Sequence, residues 1–314
     1  MTDLVVRKIG WEFDATVPFL WQPTNPNFGL FCNAFTFIAV PFERYIVSAV
    51  RMAADRLAEK PDVAAEADRF LKQEAQHAAA HRRHMLALIE RYPDLGQCYA
   101  AACAAYDELL EQEPVEFHLA YIANLEATFT PLFKVILDHR DSLFGGGDAR
   151  VASLMMWHFV EEIEHRSSGL ILCNHVNRRP WSRVKHVRRT FGHVAAIADA
   201  IAAAFDDVVP IEDRGVSTRA LLSGDFLTGE LRHRIPVRRR PRGPGRAPTI
   251  FQPVPTADLV KMVWRLALSQ TPYHDPADQP LPDWAQTWMR AYDRGADMTT
   301  FARSSGTTEG DIDC

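Results

Sequence analysis

The spacing of apolar and polar residues along the chain predicts a helical protein. From about residue 36 to residue 208, apolar side chains recur every three to four positions, which is the period of a helix with one buried face. No credible series of alternating strands accompanies this pattern. We therefore predict an all-α fold, with helices over about 36–58, 61–91, 97–112, 115–143, 149–176 and 180–207.

The residues before this region predict a different conformation. Residues 1–35 are rich in aromatic side chains and contain prolines that prevent a long helix. We therefore expect an irregular, extended lead-in that packs on a helical domain spanning 36–208. The prolines are Pro18, Pro23 and Pro26.

After residue 208 the helical pattern weakens. We predict a C-terminal helical extension over 209–303 and a polar, disordered tail over 304–314. Within the extension, the Arg- and Pro-rich segment 232–246 is interpreted as an exposed linker, with an anion-binding or partner-docking arm as the alternative. Two amphipathic helices in the extension are expected to direct three tryptophans inward, namely Trp264, Trp284 and Trp288.

Polar residues interrupt the apolar faces of four of the predicted helices. Glu43 and Glu126 each lie in an apolar run, and Glu74 begins a Glu-x-x-His pair that ends at His77. The fourth helix carries a second such pair and a further histidine one turn earlier. These three residues fall within roughly 60° of one another around a helix, so they share one face. They are His158, Glu162 and His165.

A buried face of this composition requires compensation, because desolvated carboxylates and imidazoles are unfavourable when they are unpaired. The order Glu, Glu-x-x-His, Glu, Glu-x-x-His, with one set on each helix, is that of the ferritin-like four-helix bundles that hold two metal ions. We therefore predict a ferritin-like bundle with extra helices and a dinuclear site. Its predicted metal ligands are Glu43, Glu74, His77, Glu126, His158, Glu162 and His165.

Two of these glutamates also have simpler interpretations. Glu43 alone fits a salt bridge to Arg44 or Arg51, and Glu126 alone fits a hydrogen-bonded core residue. Each explains one residue, whereas the metal site explains the whole set.

Other polar residues near the motifs leave alternatives open. His158 alone fits a hydrogen-bond donor in the core, and His81 fits a ligand, an acid–base group or a surface residue. Glu161 points away from the shared face and is interpreted as a group behind the ligands, and Glu164 as solvated or paired. A third Glu-x-x-His spacing begins at Glu230, beside the Arg-rich segment, and is interpreted as surface.

Around these ligands the sequence resembles a family of predicted metal-dependent hydrolases. The resemblance covers nearly the whole chain. With His158 added, the ligand pattern is also similar to that of the di-iron arylamine N-oxygenases, in which an additional histidine binds one iron. The hydrolase resemblance rests on Phe42-Glu43-Arg44, Gln73-Glu74-Ala75-Gln76-His77, Leu125-Glu126 and the stretch from Trp157 to His165.

The types of ligand limit the metals that the site can bind and the reactions that it can support. Carboxylates and imidazoles suit iron, manganese or zinc, and no thiolate lies in the pattern to favour copper or an iron–sulfur cluster. We predict that the site holds two metal ions, with iron as the first choice. The enzyme would then activate O₂ to oxidise a small organic substrate. A metal-dependent hydrolase that activates water at the same site is the alternative. Metal storage is disfavoured, because nothing in the sequence argues for a cage-forming surface.

Composition and charge indicate the class of partner and the cellular compartment. The 314 residues carry a net charge of −5, which argues against nucleic-acid binding as the main role. Five cysteines without Cys-x-x-Cys spacing indicate free thiols in a reducing compartment. The chain start lacks a signal-peptide apolar region, and the most apolar stretch, Val194 to Phe205, is too short to span a bilayer. We therefore predict a cytoplasmic protein with no membrane span, and the oligomeric state is left open, with a homodimer as one option.

Overall fold

The described part of the chain is built from helices. The computed structural model describes residues 4–179, 181–222, 230, 234 and 249–306, and in these residues every regular element is a helix. The all-α prediction is therefore confirmed. In these residues the α-helices are α1 (Pro26–Met52), α2 (Ala54–Leu57), α3 (Pro61–Arg91), α4 (Leu95–Gln112), α5 (Val115–Asp138), α6 (Arg140–Phe144), α7 (Ala149–Glu164), α8 (Ser168–Asn177), α9 (Trp181–Val184), α10 (Val187–Val208), α11 (Ile211–Arg214), α12 (Thr218–Leu222), α13 (Thr256–Ser269) and α14 (Asp283–Asp293), with 3₁₀ helices at Pro276–Asp278 and Phe301–Gly306.

Four helices, α1, α3, α5 and α7, enclose the interior. α1 packs on α3 and α5, and α7 also packs on α3 and α5, so the four contacts close a ring. Large aromatic side chains from these helices are buried in the core, including Phe37, Phe70, Tyr121 and Trp157. Because every one of the four helices faces the same interior, the predicted ligands of all four can meet there. The ferritin-like assignment and the domain limits stay predictions.

The first long helix begins at Pro26 and not near residue 36 as predicted. The side chain of Asn25 accepts a hydrogen bond from the backbone N–H of Phe28 at 3.2 Å, which caps the helix. A proline in the first turn is favourable, because its missing N–H has no partner there in any helix. The lead-in is therefore irregular only as far as Asn25.

The lead-in packs on the helices as predicted. Trp11, Phe19 and Trp21 are buried, and the ring centroid of Trp11 lies 5.5 Å from that of Trp157 on α7. These aromatic contacts hold the start of the described chain against the helix that carries the central motif.

Among the described helices, α1 alone has the length and composition of a membrane span. In its most apolar stretch, 72% of the residues are buried inside the structure. Length and composition alone are weak evidence for a span, because a core helix has the same properties.

The C-terminal helices differ from the prediction at one tryptophan. Trp288 is buried and Trp284 is half-buried, but Trp264 is 65% exposed. On α13, Leu259 and Met262 are the buried apolar residues, and helical geometry places Trp264 on the opposite side. The expectation that all three tryptophans face inward is therefore wrong.

The remaining C-terminal predictions fall mostly outside the described residues. Only Arg234 of the Arg-rich segment 232–246 is described, and residues 307–314 of the predicted tail are not. Residues 304–306 belong to the last 3₁₀ helix. Glu230 is 5% exposed and accepts hydrogen bonds from backbone N–H groups of residues 250–251, so its surface assignment is wrong. A segment distant in sequence covers it, which local spacing does not reveal.

Candidate metal centre

The seven predicted ligands lie together in the interior. Each side chain is at most 2% exposed. Helical spacing brings the motif residues of each helix to one face, and the ring of four helices turns those faces toward each other. The contributions are Glu43 from α1, Glu74 and His77 from α3, Glu126 from α5, His158 and Glu162 from α7, and His165 directly after α7.

Two groups of potential ligand atoms lie close enough to hold metal ions. In each group, one nitrogen or oxygen atom per residue lies within 4.8 Å of the others. One residue, Glu162, belongs to both groups. The first group is Glu43, His77, His158 and Glu162, and the second is Glu74, Glu162 and His165.

Glu162 connects the two groups through its two oxygens. Its Oε1 lies 2.7 Å from Nε2 of His158, and its Oε2 lies 3.1 Å from Nε2 of His165. The oxygens therefore face different groups, as those of a bridging carboxylate do. Glu126 adjoins the second group, because its Oε2 lies 3.3 Å from Nε2 of His165.

Several polar atoms of the cluster have no hydrogen-bond partner. They are both carboxylate oxygens of Glu74 and of Glu126, Oε2 of Glu43 and Nδ1 of His77. Buried polar groups are normally hydrogen-bonded, and buried charges are normally paired or coordinate a metal. This donor set of carboxylate oxygens and imidazole nitrogens therefore fits divalent cations of the iron, manganese and zinc type.

The acidities of the glutamates are strongly perturbed. Burial, reinforced by neighbouring carboxylates, raises the pKa of Glu43 and Glu74 well above the usual range. Burial and the charge of Glu162 raise the pKa of Glu126 to about 7. Burial would also raise the pKa of Glu162, but the charge of His165 and hydrogen bonds from the cluster histidines hold it well below its usual range. Four carboxylates thus resist ionising together without cations.

Each cluster histidine is held from behind by a polar partner. Nε2 of His77 lies 2.9 Å from Oε2 of Glu161, and Nδ1 of His165 lies 3.1 Å from Oε1 of Gln73. In both cases the other ring nitrogen faces the cluster. Metal-binding histidines typically donate their second N–H in this way, which sets the tautomer and the ring orientation.

A buried arginine from the lead-in pairs with Glu161 and with its neighbour Glu164 behind the cluster. Arg7 is 3% exposed and donates to Glu161 at 3.0 Å and to both oxygens of Glu164 at 2.7 and 3.0 Å. On its other side, its guanidinium lies 5.7 Å from the ring centroids of both Trp288 and Tyr292. Arg7 therefore links the lead-in, α7 and α14 behind the cluster.

The third histidine is backed by a chain of further side chains. Nδ1 of His158 lies 2.7 Å from Nε2 of His81, whose Nδ1 lies 3.0 Å from Oγ1 of Thr36. The same hydroxyl lies 3.2 Å from Nδ1 of His84. All four residues are buried, so His81 is not a surface residue. It stands behind His158 rather than beside the cluster ligands.

The simpler interpretation of Glu43 as an arginine partner is wrong. Arg44 pairs with Asp107, and among the described residues the basic side chain within 4 Å of Glu43 is that of His158, at 3.5 Å, whose pKa burial lowers to about 4. Glu164, interpreted as solvated or paired, is paired and 8% exposed. The sequence reasoning missed Arg7, which no spacing connects to α7.

An apolar cavity of about 350 Å³ reaches the cluster. Glu43, Glu74, His158 and Glu162 form its polar end. Phenylalanines form much of the remaining wall, including Phe35, whose ring centroid lies 5.1 Å from that of His158. The cluster is thus accessible to a small molecule from one side.

A model for the family described as "predicted metal-dependent hydrolase" matches residues 5–219. The chain belongs to this family. The matched range contains all seven cluster residues and Arg7. No curated protein and no solved structure matches the chain. The family description agrees better with the hydrolase alternative than with the oxygenase that we placed first.

Proposed function

We propose that the chain is a metal-dependent hydrolase with a dinuclear centre that acts on a small organic substrate. The observation that carries the proposal is the pair of adjoining ligand groups, joined by Glu162 and reached by the cavity. Membership of the predicted metal-dependent hydrolase family supports hydrolysis over oxidation. All seven residues, Glu126 included, are proposed as ligands, with the identity of the metal left open between zinc, manganese and iron.

The protein groups have distinct tasks in this proposal. Two bound cations would polarise the scissile group and make water acidic enough to attack it near neutral pH. The four glutamates would balance the cation charge. Glu161 and Gln73 hold the imidazoles of His77 and His165 in one orientation. The apolar cavity wall holds the substrate and excludes bulk water from its reacting end.

Metal content tests the dinuclear centre. After loading with Zn(II), Mn(II) or, without oxygen, Fe(II), we expect two ions per chain by elemental analysis. Glu74→Gln should reduce this number. Glu66→Gln is the matched control, because Glu66 is also buried on α3 but accepts a hydrogen bond from Ser168 outside the cluster. One ion or fewer at saturation in the unaltered protein would overturn the proposal.

Substrate turnover tests the reaction. We expect the Zn(II) or Mn(II) form to cleave a neutral ester or amide in a panel of nitrophenyl esters and anilides of increasing acyl length. Activity should disappear with Glu74→Gln and remain with Glu66→Gln. Cleavage that is equal in the metal-free protein would rule out the metal-dependent reaction.

Oxidation by O₂ is the second candidate, and two observations favour it. The cavity wall is almost entirely apolar, and His158 adds an imidazole to the Glu-x-x-His set. We expect, on this reading, that the Fe(II) form becomes ferric in rapid-mixing spectroscopy with O₂. His158→Ala should change the rate more than the iron content. An Fe(II) form that stays unreactive with amines, aldehydes and fatty acids present would exclude oxidation.

A cytoplasmic location and the oligomeric state remain predictions. Cys32, Cys98, Cys103 and Cys173 are free thiols in the structure, which supports a reducing compartment. Fractionation of cells that produce the protein would test the location, and light scattering would test for a homodimer.

A further inference from the structure

The cavity that reaches the cluster has one polar end and one apolar body. Its polar end consists of Glu43, Glu74, His158 and Glu162. Away from this end the wall contains only two polar side chains among the described residues, Thr128 and Gln270. The rest of the wall is phenylalanine and aliphatic side chains.

Neither of the two polar wall residues is free to select a charged ligand. The hydroxyl of Thr128 donates to the backbone oxygen of Leu125 at 2.6 Å. The amide nitrogen of Gln270 donates to the backbone oxygen of Asn124 at 3.1 Å and to Oγ of Ser269 at 3.0 Å, and its amide oxygen accepts from Arg183 at 3.4 Å. A phosphate, carboxylate or ammonium in the body of the cavity would lose its hydration and find no partner, which is costly for any ion.

The size of the cavity limits the ligand. Its volume is about 350 Å³. Because a water-sized group occupies about 30 Å³, this space holds about a dozen non-hydrogen atoms. A nucleotide or an oligosaccharide is therefore too large as well as too polar.

The exposure of the wall residues indicates where the ligand enters. The wall residues of α1 and α5 include buried ones, such as Ala39, Phe42 and Phe133, whereas those described on α10 and α13, such as Phe191 and Leu266, are all half-buried. The mouth therefore lies between α10 and α13, and the ligand must pass the apolar wall before it reaches the carboxylates. A polar group at its leading end would be the only part to meet hydrogen-bonding side chains.

The geometry points to a neutral, mainly apolar substrate of about a dozen non-hydrogen atoms, which enters with its single reactive polar group toward Glu43 and Glu162. The assignment of that group as the reacting end rests on the proposed function. The selection for a neutral apolar body rests on the cavity alone.

Binding of 1-alkanols from butanol to tetradecanol tests the cavity. Titrations would use the full chain, both metal-free and Zn(II)-loaded, in competition with a neutral fluorescent probe. Each added methylene should tighten binding by about fourfold, until the chain reaches the length that fills the cavity. In the metal-free protein, 6-hydroxyhexanoate should bind at least tenfold more weakly than 1-hexanol, because its carboxylate finds no partner.

Replacing individual alanines by phenylalanine locates the binding site. Ala34→Phe fills part of the cavity from a buried position of its wall and should weaken 1-octanol binding at least tenfold. Ala198→Phe, on α10 near the mouth, should reduce the alkanol chain length beyond which added methylenes no longer tighten binding. This variant keeps the test valid if Ala34→Phe does not fold. Ala196→Phe is the control, because Ala196 is exposed on the same helix and does not line the cavity.

The outcomes separate this inference from the proposed function. Affinity that does not rise with alkanol length, or that neither cavity variant changes, would overturn the neutral apolar substrate even if the metal centre and hydrolysis are established. Length-dependent binding to the metal-free protein would support the inference even if no metal-dependent cleavage is found. Tight binding of 6-hydroxyhexanoate to the metal-free protein would also overturn it.

Discussion

Replacing Glu126 by glutamine should have opposite effects on the metal-free and the metal-loaded protein. The pKa of Glu126 is about 7 in the folded chain, against an ordinary value of 4.5. The folded state therefore holds more protons than the unfolded state between these pH values, so the stability of the metal-free protein falls as pH rises through this window. Glutamine resembles the neutral carboxylic acid and removes this loss.

The magnitude follows from the shift in pKa. With 1.36 kcal/mol per pKa unit, the raised pKa of Glu126 lowers the free energy of unfolding by about 3 kcal/mol at pH 8 and by about 1 kcal/mol at pH 5, where the side chain ionises only in the unfolded chain. The metal-free Glu126→Gln variant should therefore be more stable than the unaltered chain, and the gain should grow by about 2 kcal/mol between these pH values. With metal bound, the charge of Glu126 is needed, and the same variant should be the less stable one.

Urea denaturation at pH 5 and pH 8, with chelator and with Zn(II), measures both effects. The control is Glu66→Gln, which changes a buried carboxylate on α3 outside the cluster and should show no reversal on metal addition. If Glu126→Gln gains nothing at pH 8 without metal, the repulsion argument is wrong. If its metal affinity also equals that of the unaltered protein, Glu126 is not a ligand.

Three further substitutions probe the surroundings of the cluster. Arg7→Gln removes the arginine charge from two buried carboxylates and should lower the free energy of unfolding by about 3–5 kcal/mol in denaturation experiments, whereas Arg7→Lys should lower it less. Thr36→Val removes the hydroxyl behind His81 and should weaken metal binding by about tenfold or more in competition titrations, with little change in fold by circular dichroism. Gly169→Ala would place a Cβ 2.9 Å from Cγ of Glu126 and should reduce metal affinity, whereas unchanged affinity would show that α8 can move away.

The fold class and the cluster residues were accessible from the sequence because both depend on local spacing. Helical periodicity over α3, α5 and α7 is strong, and a Glu-x-x-His pair fixes two side chains on one face regardless of tertiary structure. Two such pairs and two single glutamates, in the order of a dinuclear bundle, predict that the side chains meet, and the structure places them together.

The features that sequence reasoning missed depend on contacts between distant segments. Arg7 lies far from Glu161 in the chain, and no periodic pattern relates the two residues. A proline such as Pro26 predicts the absence of a long helix, but the cap at Asn25 makes Pro26 the first residue of one. The amphipathic pattern predicts that Trp264 faces inward, but the helix buries its other face. The cavity likewise results from the packing of α1, α5, α10 and α13, which no single segment encodes.

The position of Arg7 has a consequence for how the protein is made. Its guanidinium is enclosed on one side by Glu161 and Glu164 and on the other by Trp288 and Tyr292. Because synthesis proceeds toward the C-terminus, Arg7 is made before α14, and its surroundings are incomplete until residues 283–293 are present. The buried ion pair behind His77 is therefore enclosed only after α14 has folded onto the rest of the chain.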